Sequence, residues 1–102
     1  MELEEKNQSA RQNGPDKNFV MVAVLTTAGT YPTQGYERTP RNQKVRVVLD
    51  QAARALRIRD STDWVARAAG RELNTQASFV ENGIEGQVDI DWGPREGGGG
   101  TV

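Results

Sequence analysis

The first apolar segments of the chain predict a β-hairpin. Residues 19–25 are apolar on both alternating faces and rich in β-branched side chains, as expected of a central strand covered on both sides. A turn containing Gly29 follows, and residues 31–37 have a weaker strand pattern. Pro32 cannot donate a ladder hydrogen bond and Gly35 weakens pairing, so this second strand is predicted to lie at a sheet edge.

A helical stripe follows the hairpin at residues 43–57. Thr39 or Asn42 is the predicted N-cap, because both side chains can accept a hydrogen bond from a free backbone N–H group. Apolar side chains then recur at the three- and four-residue spacing that places them on one face of a helix. They are Val45, Val48, Leu49, Ala52, Ala53 and Leu56.

Four arginines lie between Arg46 and Arg59 on the polar side of this stripe. Such a cluster raises the possibility of phosphate binding. No aromatic or glycine-rich segment is interleaved with the arginines, as nucleic-acid surfaces usually require. The sequence therefore favours a solvated helix face.

The second half of the chain predicts three more strands. A short strand is expected at residues 64–68, residues 69–73, which include Gly70, are expected to form a turn into another short strand, and residues 74–86 have an irregular pattern. Residues 88–92 alternate between apolar and acidic, which predicts a strand with one face on the core, and Gly93-Pro94 is expected to end it. The order of elements predicts an α+β fold, in which one helix packs on a mixed sheet.

Composition limits the possible functions. The chain has 102 residues, enough for one domain, and a formal net charge of −1, which gives no general attraction to nucleic acid or to anionic membrane. It contains no cysteine and no histidine. The commonest general base, the best nucleophile and the main zinc ligands are thus missing, so a role other than enzyme is favoured, with no metal site.

The two ends of the chain have different compositions from the middle. Residues 1–17 are polar and lack the apolar segment of a secretory signal, so they are predicted to form a disordered tail. The domain is expected to span residues 18–93. Residues 94–102 are expected to form a flexible glycine tail, in which Thr101 and Val102 follow Gly97, Gly98, Gly99 and Gly100. This tail is either a linker or a segment whose carboxylate another enzyme activates.

Three segments together resemble ubiquitin-like proteins with the β-grasp fold. Residues 64–73, with the sequence WVARAAGREL, are similar to ubiquitin's third strand and its Ala-Gly-Lys-Gln-Leu turn. Residues 78–84, SFVENGI, are similar to its Leu-Ser-Asp-Tyr-Asn-Ile loop. Residues 88–92, VDIDW, and the REGG that begins at Arg95 resemble its last strand and Arg-Gly-Gly tail. The acidic, cysteine-free chain and its extra N-terminal tail look more like the ubiquitin-like proteins of bacterial conjugation operons than like eukaryotic ubiquitin.

The resemblance implies a cytoplasmic protein modifier that binds no cofactor itself. A zinc-dependent JAB-type peptidase would remove Thr101 and Val102 and expose Gly100, although trimming to Gly98 would also leave a Gly-Gly end. An adenylating activating enzyme would then use ATP on the glycine carboxylate. A conjugating enzyme would join that carboxylate to an amine of an unknown target protein through an isopeptide bond. Neither nucleic acid nor a membrane is an implied partner.

The sequence departs from ubiquitin in two respects. Arg67 and Asp91 fall near the positions of ubiquitin's exposed isoleucine and valine, so the apolar patch that ubiquitin receptors read is expected to be interrupted. The lysines are only Lys6, Lys17 and Lys44, and two of them lie in the predicted tail. Few lysines are therefore available as attachment sites for lysine-linked chains.

Three other interpretations remain open. The chain could be a β-grasp binding module that is not conjugated and whose glycine tail is a linker. It could be a sulfur carrier, although such proteins usually end at the glycine and lack a long polar N-terminal tail. An enzyme using Asp89 and Asp91 is disfavoured, because two carboxylates one pleat apart on an exposed strand face are expected to be solvated.

Deletion of residues 1–17 should leave the melting temperature nearly unchanged, because a polar tail has little apolar surface to bury. Calorimetry of the full chain and of the shortened chain measures the difference. A drop of many degrees in the shortened chain would show that these residues pack on the domain or on another copy.

Overall fold

The computed structural model describes residues 18–95, which form one helix and six strands around a single core. The predicted tails, residues 1–17 and most of residues 94–102, lie outside the described part. In chain order the elements are β1 (Phe19–Thr26), β2 (Gly29–Tyr31), β3 (Glu37–Pro40), α1 (Val45–Leu56), β4 (Trp64–Ala68), β5 (Arg71–Glu72) and β6 (Gln87–Pro94).

The strands form a mixed sheet in the order β2-β1-β6-β4-β5, and β3 pairs with the first half of β1. The β1–β6 pair at the centre is parallel, with a register that runs from Met21↔Gln87 to Leu25↔Asp91. The other pairs are antiparallel. The first and last strands of the domain therefore lie side by side, and every other element connects them.

The helix covers one face of the sheet. Its buried residues are the predicted stripe positions Val45, Val48, Leu49 and Ala52. They face inward side chains from the central strands, above all Val22, Val24 and Ile90, each 0 % exposed. The whole core consists of Val20, Val22, Val24, Val45, Val48, Leu49, Ala52, Ala66, Ala68, Leu73, Phe79, Ile84, Ile90 and Trp92.

The helix ends in a Schellman motif. Arg57 has a left-handed backbone with φ 60°, and its N–H donates to the Arg54 carbonyl over 3.3 Å. The N–H of Ile58 donates to the Ala53 carbonyl over 2.9 Å, and the Ile58 side chain packs on the core. These bonds satisfy carbonyls that the end of the helix would otherwise leave free.

Residues 74–86 are irregular, as predicted, but an internal network orders them. Asn82, only 9 % exposed, donates to the carbonyls of Asn74 and Ser78 over 2.9 and 2.8 Å and accepts from the Asn74 N–H over 2.9 Å. The Arg71 guanidinium donates to the carbonyl of Asn82. Ser78 and Glu81 exchange side-chain-to-backbone hydrogen bonds of 2.8 and 3.0 Å, the reciprocal pattern of a capping box. The buried side-chain amide of Asn82 is tolerated because its hydrogen-bond partners are present.

The predicted turn at Gly70 joins β4 to β5. Ala69 and Gly70 both have positive φ, 52° and 78°, between the paired residues Ala68 and Arg71. Two positive-φ residues in a two-residue loop are the pattern of a type I′ turn, whose twist matches that of the flanking strands.

The N-terminal hairpin differs from its prediction in two ways. Its second strand is split into β2 and β3, and residues 32–36, expected as strand, connect the two. The outer face of β1 is also not fully covered, because Met21 and Leu25 are 36 % and 37 % exposed. The prediction of burial on both faces was wrong here: no helix of residues 18–95 lies on that side, so these side chains stay partly exposed.

The predicted helix cap was also wrong. Thr39 lies in β3, Asn42 lies two residues before the N-cap Lys44, and α1 begins at Val45 without a side-chain cap. The N–H of Val45 instead donates to the Ala77 carbonyl over 3.0 Å, and the next N–H donates to the Thr75 carbonyl over 2.9 Å. The loop of residues 74–86 therefore satisfies these N–H groups, which a capping side chain usually does.

The last strand continues through Gly93 and Pro94, which were expected to stop it. These residues pair with Val65 and Trp64 of β4. The parallel pairing with β1 has already ended at Leu25↔Asp91, so a proline beyond that point removes no hydrogen bond from that ladder.

Leu49→Ala should lower the free energy of unfolding by about 2–5 kcal/mol, because it leaves a cavity in the core. The matched control is Val47→Ala, two residues away on the exposed side of α1, which should change it by less than about 0.5 kcal/mol. Urea denaturation measures both values. Equal losses in the two variants would contradict the packing of the helix described here.

Candidate functional site

The chain leaves the sheet from its middle. Strand β6 lies between β1, which pairs with its residues 87–91, and β4, which pairs with its residues 91–94. It ends at Pro94, and Arg95 is the last described residue. The predicted conjugation and processing residues, Gly97–Gly100 and Thr101, lie outside the described residues. The described part of the site is therefore the platform from which they extend.

Two tryptophans pack beneath this end of the sheet. Trp64 of β4 and Trp92 of β6 meet edge to face, with ring centroids 5.0 Å apart and planes at 78°. Aromatic pairs favour this arrangement, which adds to the energy of burying their surface. Trp92 is only 6 % exposed, so its side chain anchors the last residues of β6 in the core just before the strand ends.

An ion pair holds the first residue beyond β6. The Arg95 Nη2 atom lies 3.0 Å from Glu72 Oε2, and Nη1 lies 3.4 Å from Oε1. The two side chains are 57 % and 45 % exposed, so the pair adds only about 0–1 kcal/mol to stability. Its effect is directional, because it draws Arg95 toward β5 at the sheet edge.

A shallow groove of about 330 Å³ crosses the outer face of the sheet at the same end. Leu25 of β1 and Val65 of β4 form its sides, and Pro94 closes one end. Gly93 lies between them, and a Cβ atom at this position would meet nothing within 4 Å. The missing side chain of Gly93 therefore leaves an open apolar depression beside the start of the tail.

Charged side chains border this groove and interrupt the apolar surface. Arg67, Asp89 and Asp91 are exposed on the outer face, as the sequence predicted. The apolar surface that remains lies on β1, at Met21 and Leu25, and on β4 at Val65. Sequence reasoning missed this surface because it assumed that β1 was covered on both sides.

Tyr36 spans part of the same face. Its hydroxyl donates to the Asp89 carboxylate two strands away, and this bond holds the pKa of Tyr36 above its usual value, because ionised phenol could no longer donate. Tyr36 directly precedes β3, in which Glu37 pairs with Val22 of β1. Ala23, the next residue of β1, is only 5 % exposed although it faces outward.

The described residues offer few groups for catalysis. Asp89 is bonded to Tyr36, and Asp91 lies on the rim of the groove. Within residues 18–95 no group of three or more acidic side chains is placed to hold a metal ion. In the same part of the chain, no helix is both long enough and apolar enough to cross a bilayer.

Comparison with known proteins identifies the fold. A protein designed de novo on the basis of ubiquitin superposes with a TM-score of 0.60 at 18 % identity, covering 82 % of this chain and 98 % of its own. The N-terminal ubiquitin-like domain of the 4931431F19Rik protein gives 0.57 at 19 % identity, with 87 % and 88 % covered. The chain has the ubiquitin-like β-grasp fold.

The ubiquitin-like domain of the Arabidopsis thaliana protein At2g32350 also superposes on this fold, with a TM-score of 0.57, 13 % identity, and 90 % and 86 % of the two chains covered. No protein-family model matches the sequence, and no curated protein does either. At such low identity the similarity establishes the β-grasp architecture, which confirms the fold that the sequence predicted.

Glu72→Gln should release Arg95 from β5, because the amide keeps the size of the side chain but loses its charge. The heteronuclear NOE of the Arg95 amide should fall, while stability should change by less than about 1 kcal/mol. Glu85→Gln changes an exposed carboxylate in the loop of residues 74–86; it is the matched control and should leave the Arg95 signal unchanged. An Arg95 amide that is equally ordered in all three proteins would show that the ion pair does not hold it.

Proposed function

We propose that this protein is a ubiquitin-like modifier, joined to target amines through a C-terminal glycine carboxylate. A peptidase removes Thr101 and Val102, and an adenylating enzyme activates Gly100 with ATP. A conjugating enzyme then transfers the chain to a target protein. The reactive residue is Gly100, because that cut removes only the residues that are not glycine, and a cut after Gly98 is the alternative site.

The position of the last strand is the observation that carries the proposal. β6 is anchored by Trp92, passes through the centre of the sheet and directs the chain out of one end of the domain. Glu96 and four glycines come next in the sequence. A segment without side chains can enter a narrow path to a covered site where ATP is bound, and bulkier residues cannot. A β-branched Val102 at the end would fit such a path poorly, so trimming would precede activation.

The residue composition supports the same assignment of roles. The chain has no cysteine or histidine, so it lacks the groups that usually form a thioester or act as a general base. In the proposed pathway these groups belong to partner enzymes, and this chain contributes only a carboxylate. The partners would be an adenylating enzyme, a conjugating enzyme and a zinc-dependent JAB-type peptidase. We place them with this chain in a bacterial conjugation operon and in the cytoplasm, where ATP is available.

The groove around Gly93 favours a second candidate function. An apolar depression between Leu25 and Val65 could hold a side chain of a binding partner without any reaction at the tail. In that case the chain would be a β-grasp binding module, and its glycines a linker. Gly93→Leu would fill the groove and abolish such binding while leaving activation of the tail possible. A sulfur carrier is ranked lower, since Thr101 and Val102 follow the glycines.

The proposal is tested with the full chain and the enzymes encoded beside its gene. The peptidase should remove 101–102 alone, which intact-protein mass spectrometry detects. The product should then form an adenylate and a thioester with the activating enzyme and ATP, while the untrimmed chain should form neither. A chain ending at Gly100 with the substitution Gly100→Val is the control, and it should react at least about a hundredfold more slowly, because the β-branched end obstructs the path to ATP.

Each outcome of this experiment has a defined meaning. Additional loss of Gly99 and Gly100 would move the reactive carboxylate to Gly98. If the peptidase does not cut and chains ending at Gly100 or Gly98 form no thioester, the modifier proposal is wrong and the binding-module proposal takes its place. A thiocarboxylate in place of a conjugate would identify a sulfur carrier.

A further inference from the structure

We propose that the outward side of α1 is a docking surface for an acidic polypeptide segment of a partner protein. The surface, called here the basic helix surface, consists of Lys44, Arg46, Val47, Arg54, Arg57 and Arg59. It lies on the side of the domain opposite the outer face of the sheet. It does not include the end of β6, and the inference does not depend on the proposed modifier function.

The charges of the domain are divided unequally. Residues 41–59 contain six basic side chains and one acidic side chain, Asp50. The other described residues contain four basic and eight acidic side chains. The near-neutral total therefore conceals a positive segment, formed by α1 and the residues that flank it, on an otherwise negative domain. Such a distribution orients the domain toward an acidic partner and speeds association.

The basic side chains are available to a partner. Lys44, Arg46, Arg54, Arg57 and Arg59 are all exposed. Among residues 18–95 the ion pair found is that of Arg95 with Glu72, so no carboxylate of the described domain neutralises this surface within 4 Å. Four of the five are arginines, whose planar guanidinium groups bind carboxylates through two parallel hydrogen bonds.

The surface also contains an exposed apolar side chain. Val47 is 36 % exposed, one of three large apolar side chains that are this accessible in the described part. It lies two helical turns from Arg54 on the line opposite the buried stripe, so the two side chains share one face. An apolar contact surrounded by arginines is the arrangement found at protein interfaces, where arginine is enriched and lysine depleted.

The backbone at the end of the helix positions one of these arginines. Arg57 has φ 60°, a left-handed conformation that favours glycine. The Schellman motif accounts for this conformation, and it places the exposed Arg57 side chain at the end of the helix where Arg54 also lies.

A protein partner fits this surface better than nucleic acid does. Residues 41–59 contain no aromatic side chain on which a base could stack. Asp50 lies among the arginines and would repel a phosphate backbone, whereas a mixed protein segment can place a lysine beside it. A phosphate backbone has no apolar group that could contact Val47, whereas a peptide can contact Val47 with an apolar side chain.

The test uses ¹⁵N-labelled full chain and a synthetic peptide in which leucines recur at helical spacing among glutamates. At about 50 mM salt, the peptide should shift the amide signals of residues 44–59 and leave those of residues 87–94 in place. Arg46→Glu with Arg54→Glu should weaken binding at least about tenfold. Arg67→Glu with Arg95→Glu gives the same net charge on the other side of the domain and should change the affinity by less than about threefold.

Val47→Ser distinguishes a protein interface from simple charge attraction. This variant should bind the leucine-containing peptide about fivefold more weakly, since it loses an apolar contact. It should bind a peptide of glutamate and serine as the original chain does. Circular dichroism of each variant verifies that the helix is intact, and Arg46→Gln with Arg54→Gln replaces the reversed pair if that variant unfolds.

Four results would overturn the proposal. They are no shift at millimolar peptide, shifts confined to the sheet face, tighter binding of a single-stranded oligonucleotide of equal charge, and loss of binding in both charge-reversed variants alike. Sedimentation of the unliganded chain adds a fifth, since a dimer that Arg46→Glu with Arg54→Glu dissociates would assign the surface to a second copy.

Discussion

The parallel pairing of β1 with β6 is the constraint on which the other elements depend. Parallel neighbours require a long connection, and here that connection contains all the remaining elements. The inward residues of these two strands, Val22, Val24 and Ile90, form the surface on which α1 packs. Because β6 is central and the last element, the same pairing determines where the C-terminal segment leaves the domain. The pairing of β1 with β6 thus determines both the core of the fold and the position of the candidate site.

Sequence periodicity predicted the type of element and its inward face correctly wherever one face is buried and the other is in water. The stripe from Val45 to Leu56 and the alternation at Val88, Ile90 and Trp92 belong to this kind, and both were predicted with the correct inward faces. The turn at Gly70 was also predicted, because positive φ limits the residues that a tight turn accepts. Together these elements were enough to indicate a β-grasp, which the structural comparisons support.

The failures occurred where the outcome depends on contacts distant in sequence. The loop at residues 75–77 supplies the acceptors for the first N–H groups of α1, so no capping residue marks the true start of the helix. Gly93 and Pro94 remain in the sheet because β4 pairs with them. The groove between Leu25 and Val65 exists only because Gly93 lies between two strands that are forty residues apart in the sequence. Local propensity contains none of this information.

The two proposed surfaces follow from the single helix layer of the fold. One side of α1 must bury apolar residues on the sheet, so its other side is free to carry charge, and here it carries an excess of arginine. Among residues 18–95 no layer covers the outer face of the sheet, so its composition is equally free, and Arg67 and Asp91 line a small apolar groove there. The ion pair of Arg95 and the groove both lie at the end where the tail begins, while the basic helix surface lies across the domain from them. A partner on the helix would therefore leave the end of β6 uncovered, and in the proposed pathway one enzyme could then act at the C-terminal glycine while a different protein holds the domain.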